Sequence, residues 1–194
     1  MNKFVHNFLI RITDSWLVWV IEVNRKPYLE RYKLAGKNHW FNRLRRWLGL
    51  QIYIHRFVST DGERWIHDHP WRWCLCFVLS GGYIEERLKY FSPNEGLVTE
   101  RVPVRWLNLL TPRTFHRIAE LKPNTWTLVI CGPDTVHNGK RKGWGFIEAI
   151  NSQKMEEKLY WFQYQQPYQG ERTNDFMDNM PTGQQHRKKL EQHQ

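Results

Sequence analysis

The chain has 194 residues, 41% of them hydrophobic and 15% aromatic with 11 Trp, enough for one large core and too few for two comfortable domains. Lys+Arg number 29 against 19 Asp+Glu, a net charge of +10 that draws anions (phosphates, nucleic acid, acidic membrane surfaces) without naming one as the partner. Three cysteines, Cys74, Cys76 and Cys131, are too few for a disulfide scaffold, and the apolar run Trp16–Ile21 is too short to cross a membrane and lacks a signal-peptide layout; both point to a cytoplasmic protein in a reducing compartment.

In chain order, Phe4, Phe8, Leu9 and Ile12 recur at helical spacing, and the β-branched and aromatic residues of 16–23 predict a strand. Residues 42–48 predict a short basic amphipathic helix closed by Gly49. From Leu50 the pattern becomes short strands, at 50–58, 64–69, 73–80, 82–90, 97–102, 105–110, 115–121 and 125–131, with another near 144–149. Turn signals such as Asp61-Gly62, Gly81-Gly82 and Lys122-Pro123-Asn124 separate them. Residues 134–143 read as a polar loop, and the polar stretch 168–194 as a disordered tail or one frayed helix. There is no internal repeat. Strands at this spacing predict an all-β sandwich or closed barrel. The division expected is an N-terminal extension (1–49) packed on a barrel (50–167), followed by the tail.

The stretch Trp65-Ile66-His67-Asp68-His69-Pro70-Trp71 carries the chemistry. Histidines two apart on an extended strand share a face, with side chains about 6–7 Å apart, a spacing that suits two cis positions on one metal ion. His116, from another strand, would complete a facial set and leave positions open for a substrate or oxygen. Asp68 alternates with these ligands and is expected to face away, in an outer-shell or solvent contact. Glu85, or Asp68, is placed to orient a ligand imidazole through its distal N–H. Arg56 and Arg117 are the candidate cations for an anionic substrate.

The spacing His67-Asp68-His69, a glycine-bearing turn at Gly81-Gly82 and a later His116 resembles the cupin superfamily. That resemblance implies a double-stranded β-helix, a jelly-roll barrel with short N-terminal helical additions. Cys74 stands where most cupins carry a fourth, glutamate ligand. With Glu85 and His116-Arg117-Ile118, this is similar to the three-histidine iron cupins of the cysteine dioxygenase type. The downstream positions where those enzymes carry a tyrosine and a Ser-His-Tyr set fall near Thr127, Val129 and Cys131, so the resemblance carries fold and metal but no thiol chemistry. The pattern with Gly81-Gly82-Tyr83, Thr127-Leu128-Val129 and Trp144-Gly145-Phe146 is closer to small bacterial and phage cupin-like proteins.

The resulting expectation is a metal-dependent, dioxygenase-like oxidoreductase acting on a small anionic substrate. Its metal, held by His67, His69 and His116, is expected to be iron, with manganese, nickel or zinc as alternatives. Glu85 would be an outer-shell acid/base, and Trp65, Trp71 and Trp73 would wall the pocket. His55 reads as a structural histidine before a lining one, and Cys74 as a small buried hydrophobe before a pocket residue. The alternative is a non-catalytic cupin module, of phage origin, that binds a nucleotide, sugar or macromolecule. A variant of that alternative is an epimerase-type cupin with histidine as base, which would want a His–Asp pair in the pocket. The basic aromatic run 31–47 suits a nucleic-acid surface, but no RNP, KH or zinc-finger motif accompanies it. Packing of Trp40, Phe41, Leu44 and Trp47 on the barrel is favoured, with the arginines wet. Pairing of edge strands or of residues 1–23 would make a homodimer, and no membrane association is expected.

Overall fold

β-branched and aromatic residues alternating between Gly-, Pro- and Asn-containing turns pair as short antiparallel strands. The structure, a computed structural model, describes residues 3–23, 26–33, 43, 47–60, 66–92, 94–137, 140–141, 144–151, 154–160 and 180–192. Its elements begin with α1 (Lys3–Thr13), β1 (Leu17–Val23), β2 (Lys26–Lys33), β3 (Gln51–Phe57), β4 (Cys74–Ser80) and β5 (Tyr83–Ser92). Then come β6 (Gly96–Val104), β7 (Leu107–Leu110), β8 (His116–Leu121) and β9 (Trp126–Cys131). The last are β10 (Val136–His137), β11 (Lys140–Arg141), β12 (Trp144–Asn151), β13 (Lys154–Tyr160) and α2 (Gly183–Glu191).

One sheet runs β1-β2-β3-β9-β4-β7 and a second runs β6-β5-β8. The expected strand 64–69 reduces to an isolated bridge, His67 to His116, which adds the segment at His67 to the free side of β8. Counted along the chain from β3, with that segment as the second member, the larger sheet holds members one, eight, three and six. The smaller holds two, seven, four and five. This interleaving is the double Greek key of a jelly roll, and the all-β double-stranded β-helix expected from the sequence is the architecture observed. The other strands expected between 50 and 131 appear within two residues of their bounds.

The N-terminal segment does more than pack on the barrel. β1 and β2 lengthen the larger sheet, and β2 was not among the predicted elements. Both faces of β2 are buried: Leu29 and Arg31 face the interior, while Glu30 and Tyr32 lie beneath the two helices. α1 lays Leu9 against Val18, Tyr32, Ile54 and Trp126 on the outside of the sheet, whereas Phe4 and Phe8 stay exposed. Between the sheets lie Tyr28, Leu29, Tyr83, Val104 and Ile118. At Gly81 (φ +78) a side chain is barred twice: the left-handed backbone disfavours it, and a Cβ would stand 2.7 Å from the Thr125 Cα.

Of the C-terminal stretch, residues 168–179 lie outside the described residues, while 183–191 form α2. Thr182 caps it in a reciprocal pair with Gln185 (Gln185 N–H to Thr182 Oγ1 3.3 Å, Thr182 N–H to Gln185 Oε1 2.9 Å). Arg187 fastens α2 by donating to the Tyr32 hydroxyl (3.1 Å), the Ile10 carbonyl (3.1 Å) and Asp14. Of the basic helix expected over 42–48, only Arg43, Trp47 and Leu48 are described, and Trp47, expected to pack on the barrel, is 81% exposed. Trp40, Phe41, Leu44, Arg45, Arg46 and Trp65 lie outside the described residues. The loop expected at 134–143 contains the short ladder β10–β11. Among the described residues no helix is long and apolar enough to cross a membrane.

Beneath α2, Glu30 accepts from the Tyr32 hydroxyl (2.6 Å) and Arg56 Nη1 (3.2 Å), with His186 Nε2 at 3.3 Å. Burial alone would raise its pKa, but His186, Arg56 and Tyr32 outweigh it and bring Glu30 down to about 2. A carboxyl depressed below its unfolded value stabilises fully above about pH 4.5, and that contribution is lost as pH falls towards 2. Glu30→Gln is therefore expected to cost about 3 kcal/mol near neutral pH and to flatten the acid limb below pH 4.5. Urea titrations at pH 7 and pH 3 check both, and a variant with an unchanged acid limb would refute the assignment.

Candidate metal centre

Two backbone hydrogen bonds, His67 N–H to His116 C=O (3.0 Å) and His116 N–H to His67 C=O (2.8 Å), make these histidines a directly opposed antiparallel pair, so their rings stand side by side. His69, two residues on, returns to the same face. The three ring centroids are 5.1–5.5 Å apart, and one nitrogen from each ring lies within 4.8 Å of the other two. His69 Nε2 and His116 Nε2 are 2.9 Å apart. Two neutral imidazoles at that distance share either one proton or one cation. A metal–nitrogen bond of about 2.1 Å sets cis nitrogens about 3 Å apart, so this spacing fits a shared ion. Among the described residues this is the group of His, Cys, Asp and Glu arranged to hold a metal, and its all-nitrogen donor set suits a divalent transition ion.

The surroundings fix the rings. His69 stacks on Trp71 (5.4 Å between centroids, 20° between planes). Glu85, fully buried, places Oε1 2.9 Å from His116 Nδ1, an ion-pair distance without the alignment of a straight hydrogen bond. Asn108 Nδ2 donates to the same oxygen (2.6 Å), Arg87 Nε donates to Oε2 (2.8 Å), and Arg87 also donates to Asn108. Burial pushes the Glu85 carboxyl up, but His116 and Arg87 outweigh it and hold it below the ordinary range. An ionised carboxylate against the distal nitrogen of a ligand imidazole is the usual outer-shell arrangement of metal sites.

The histidines line a cavity of about 120 Å³, with Tyr28, Phe57, Trp71, Tyr83 and Ile118 among its walls. Cys74 and Cys76 border it as free thiols. The Cys131 sulfur, 3.2 Å away, together with burial, holds the Cys74 thiol far above its ordinary pKa. Cys74 is therefore a neutral wall residue of the cavity. Trp73 does not line the cavity. Asp68 is fully buried, so of its two expected roles, outer-shell or solvent contact, the solvent contact is not made.

The two arginines expected at the site face elsewhere. Arg56 pairs with Glu30 on the helix side of the larger sheet, and Arg117 pairs with Glu86 (2.7 Å) away from the cavity. The physical reason is strand parity: each directly follows a residue that points inward, His55 or His116, and so must point outward. The cation that does line the cavity is Arg31, in β2. Its Nε donates to His55 Nε2 (3.0 Å), and its guanidinium lies over Trp19 (5.5 Å) and Tyr53 (5.0 Å). His55 is thus both a lining residue and a hydrogen-bonded one. Burial first, then the charge of Arg31, keeps it neutral. The sequence hides Arg31, because it opens a basic segment whose arginines are expected to stay wet, whereas it is 8% exposed. Arg87 and Asn108 were missed too, although Glu85 and Arg87, two apart on a strand, carry a readable same-face signal.

No family model matches the chain, and no curated protein matches it. Among solved structures, Fe(II)-HppE with the alternative substrate (S)-1-HPP aligns at 12% identity over 62% of this chain and 57% of that one, TM-score 0.42. Hydroxypropylphosphonic acid epoxidase from S. wedmorenis aligns at 12% identity over 62% and 56%, TM-score 0.39. Oxalate oxidase in complex with the substrate analogue glycolate aligns at 14% identity over 63% and 53%, TM-score 0.33. The chain spans less than two thirds of each of those proteins. Likenesses this distant do not bear on the chemistry, and the jelly roll rests on the strand order observed in this chain.

Proposed function

We propose that this protein is a mononuclear metal enzyme, an iron-dependent oxygenase or oxidase of a small anionic molecule, with the metal on His67, His69 and His116. The observation that carries the reading is the convergence of three imidazoles, two from the segment bridged to β8 and one from β8 itself, at the wall of a small, mostly apolar cavity. A bound iron would supply oxygen activation there, and a zinc would supply Lewis acidity. The protein's own share is orientation and exclusion of water. Glu85 holds the His116 ring and keeps the negative charge that favours a cation beyond it. Trp71 braces His69, while Tyr28, Phe57 and Ile118 keep the reacting volume dry.

Oxygen uptake separates this reading from its rival. Protein loaded anaerobically with ferrous iron is expected to consume dioxygen when a small-carboxylate panel is added, and zinc-loaded protein is expected to consume none. Stoichiometric iron without oxygen uptake across the panel would overturn the oxidative assignment in favour of a binding module.

A further inference from the structure

Across the cavity face of the larger sheet, strand pairing sets Trp19 opposite Arg31, Arg31 opposite His55 and His55 opposite Thr127. The four side chains form one row, and all of them line the cavity. Arg31 is 8% exposed, yet its partners are a neutral imidazole and two aromatic faces, with no carboxylate among the described residues. A buried cation without a counter-ion is costly, and proteins ordinarily pair it. With Nε given to His55, the outer fork of Nη1 and Nη2 is left to donate. At the other end of the row the Thr127 hydroxyl is buried with no hydrogen-bond partner. One wall of the cavity therefore presents a cation without a counter-ion and a hydroxyl without a hydrogen-bond partner.

The geometry points to a carboxylate-binding subsite formed by Arg31 and Thr127, which takes small monocarboxylates end-on and leaves the rest of the molecule towards the three histidines. A planar, singly charged carboxylate matches a guanidinium fork with two parallel hydrogen bonds. Phosphate, a dianion with three acceptor oxygens, would want a second cation, and Arg31 is the only Lys or Arg among the cavity-lining described residues. The neutral His55 fixes the fork by accepting from Nε, and Trp19 and Tyr53 hold its plane. Arg31, His55 and Thr127 line the same cavity as His67, His69 and His116, so the subsite adjoins the histidine cluster. The inference deepens the proposed function and rests on its reading of this cavity as the reactive site, but it does not require the metal.

Calorimetry or saturation-transfer NMR on the full chain, stripped of metal, tests it with propanoate, propanamide and inorganic phosphate as probes. Propanoate is expected to bind at least roughly 10-fold more tightly than either of the others, the size expected of a charge-assisted pair. Arg31→Lys, which keeps the charge and loses the fork, should cut propanoate binding by roughly 10-fold, and Thr127→Val by a smaller factor. Equal binding of propanamide or phosphate in the unaltered protein would overturn the proposal, whatever the variants do. The same titration on His67→Ala separates the two readings. Propanoate binding retained there supports the subsite even if the unaltered protein holds no metal, and binding lost with His67 while Arg31→Lys still binds would overturn it.

Discussion

Alanine at His67 or at His116 is expected to abolish stoichiometric metal binding while the barrel stays folded. Each substitution removes one of three neutral nitrogen donors, and the loss in affinity should exceed the roughly 10–100-fold that changes to outer-shell partners cost. Folding should survive because the backbone pair between the two residues uses main-chain atoms only, and both rings already border a cavity. His55→Ala is the control: it removes a ring from the same cavity but not from the cluster of three, so metal content should remain at one ion per chain. Elemental analysis after dialysis against equimolar iron, manganese, nickel and zinc reads the result, with circular dichroism as the check on folding. Metal lost equally from the His55 and His67 variants, or absent from the unaltered protein, would refute the three-histidine centre.

Glu85→Gln is expected to weaken metal binding by about 10–100-fold and also to destabilise the fold, which a simple loss of ligand would not do. The carboxylate holds three partners at once, Arg87, Asn108 and the His116 ring, in a place closed to water. Glutamine keeps the shape, but one of its two ends becomes an N–H2 that must face a donor. Breaking one side of a buried ion pair costs about 3–5 kcal/mol. Arg87 is 24% exposed and can recover part of its hydration, so a loss of about 2–3 kcal/mol is expected. Urea titration reads the stability, and competition against a metal indicator reads the affinity. A variant that loses metal at full stability would assign Glu85 to the metal alone, contrary to the hub described above.

The strands from β3 to β9 were legible because each carries one inward and one outward face, and the turns between them hold residues that the backbone requires there. β2 was not legible. With helices over one face and the cavity under the other, it buries Glu30 and Tyr32 on one side and Leu29 and Arg31 on the other, and no hydrophobic alternation survives. The histidine triad could be read because two of its members sit on one face of one segment and the third is isolated in a strand. The outward direction of Arg56 and Arg117 is itself legible, since each stands next to a histidine that points inward. Arg31 was not recoverable in this way: its neighbours Glu30, Tyr32 and Lys33 resemble any basic surface stretch, and only the pairing of β2 with β3 turns it inward.

The contact between Asp14 and Arg187 joins positions 173 residues apart. During synthesis, the first strands must therefore wait for more than 150 further residues to leave the ribosome before α2 can cover Tyr32 and Glu30. Closing so long a loop is entropically slow, and in nascent chains of this protein the outer face of β2 should stay uncovered until α2 has emerged.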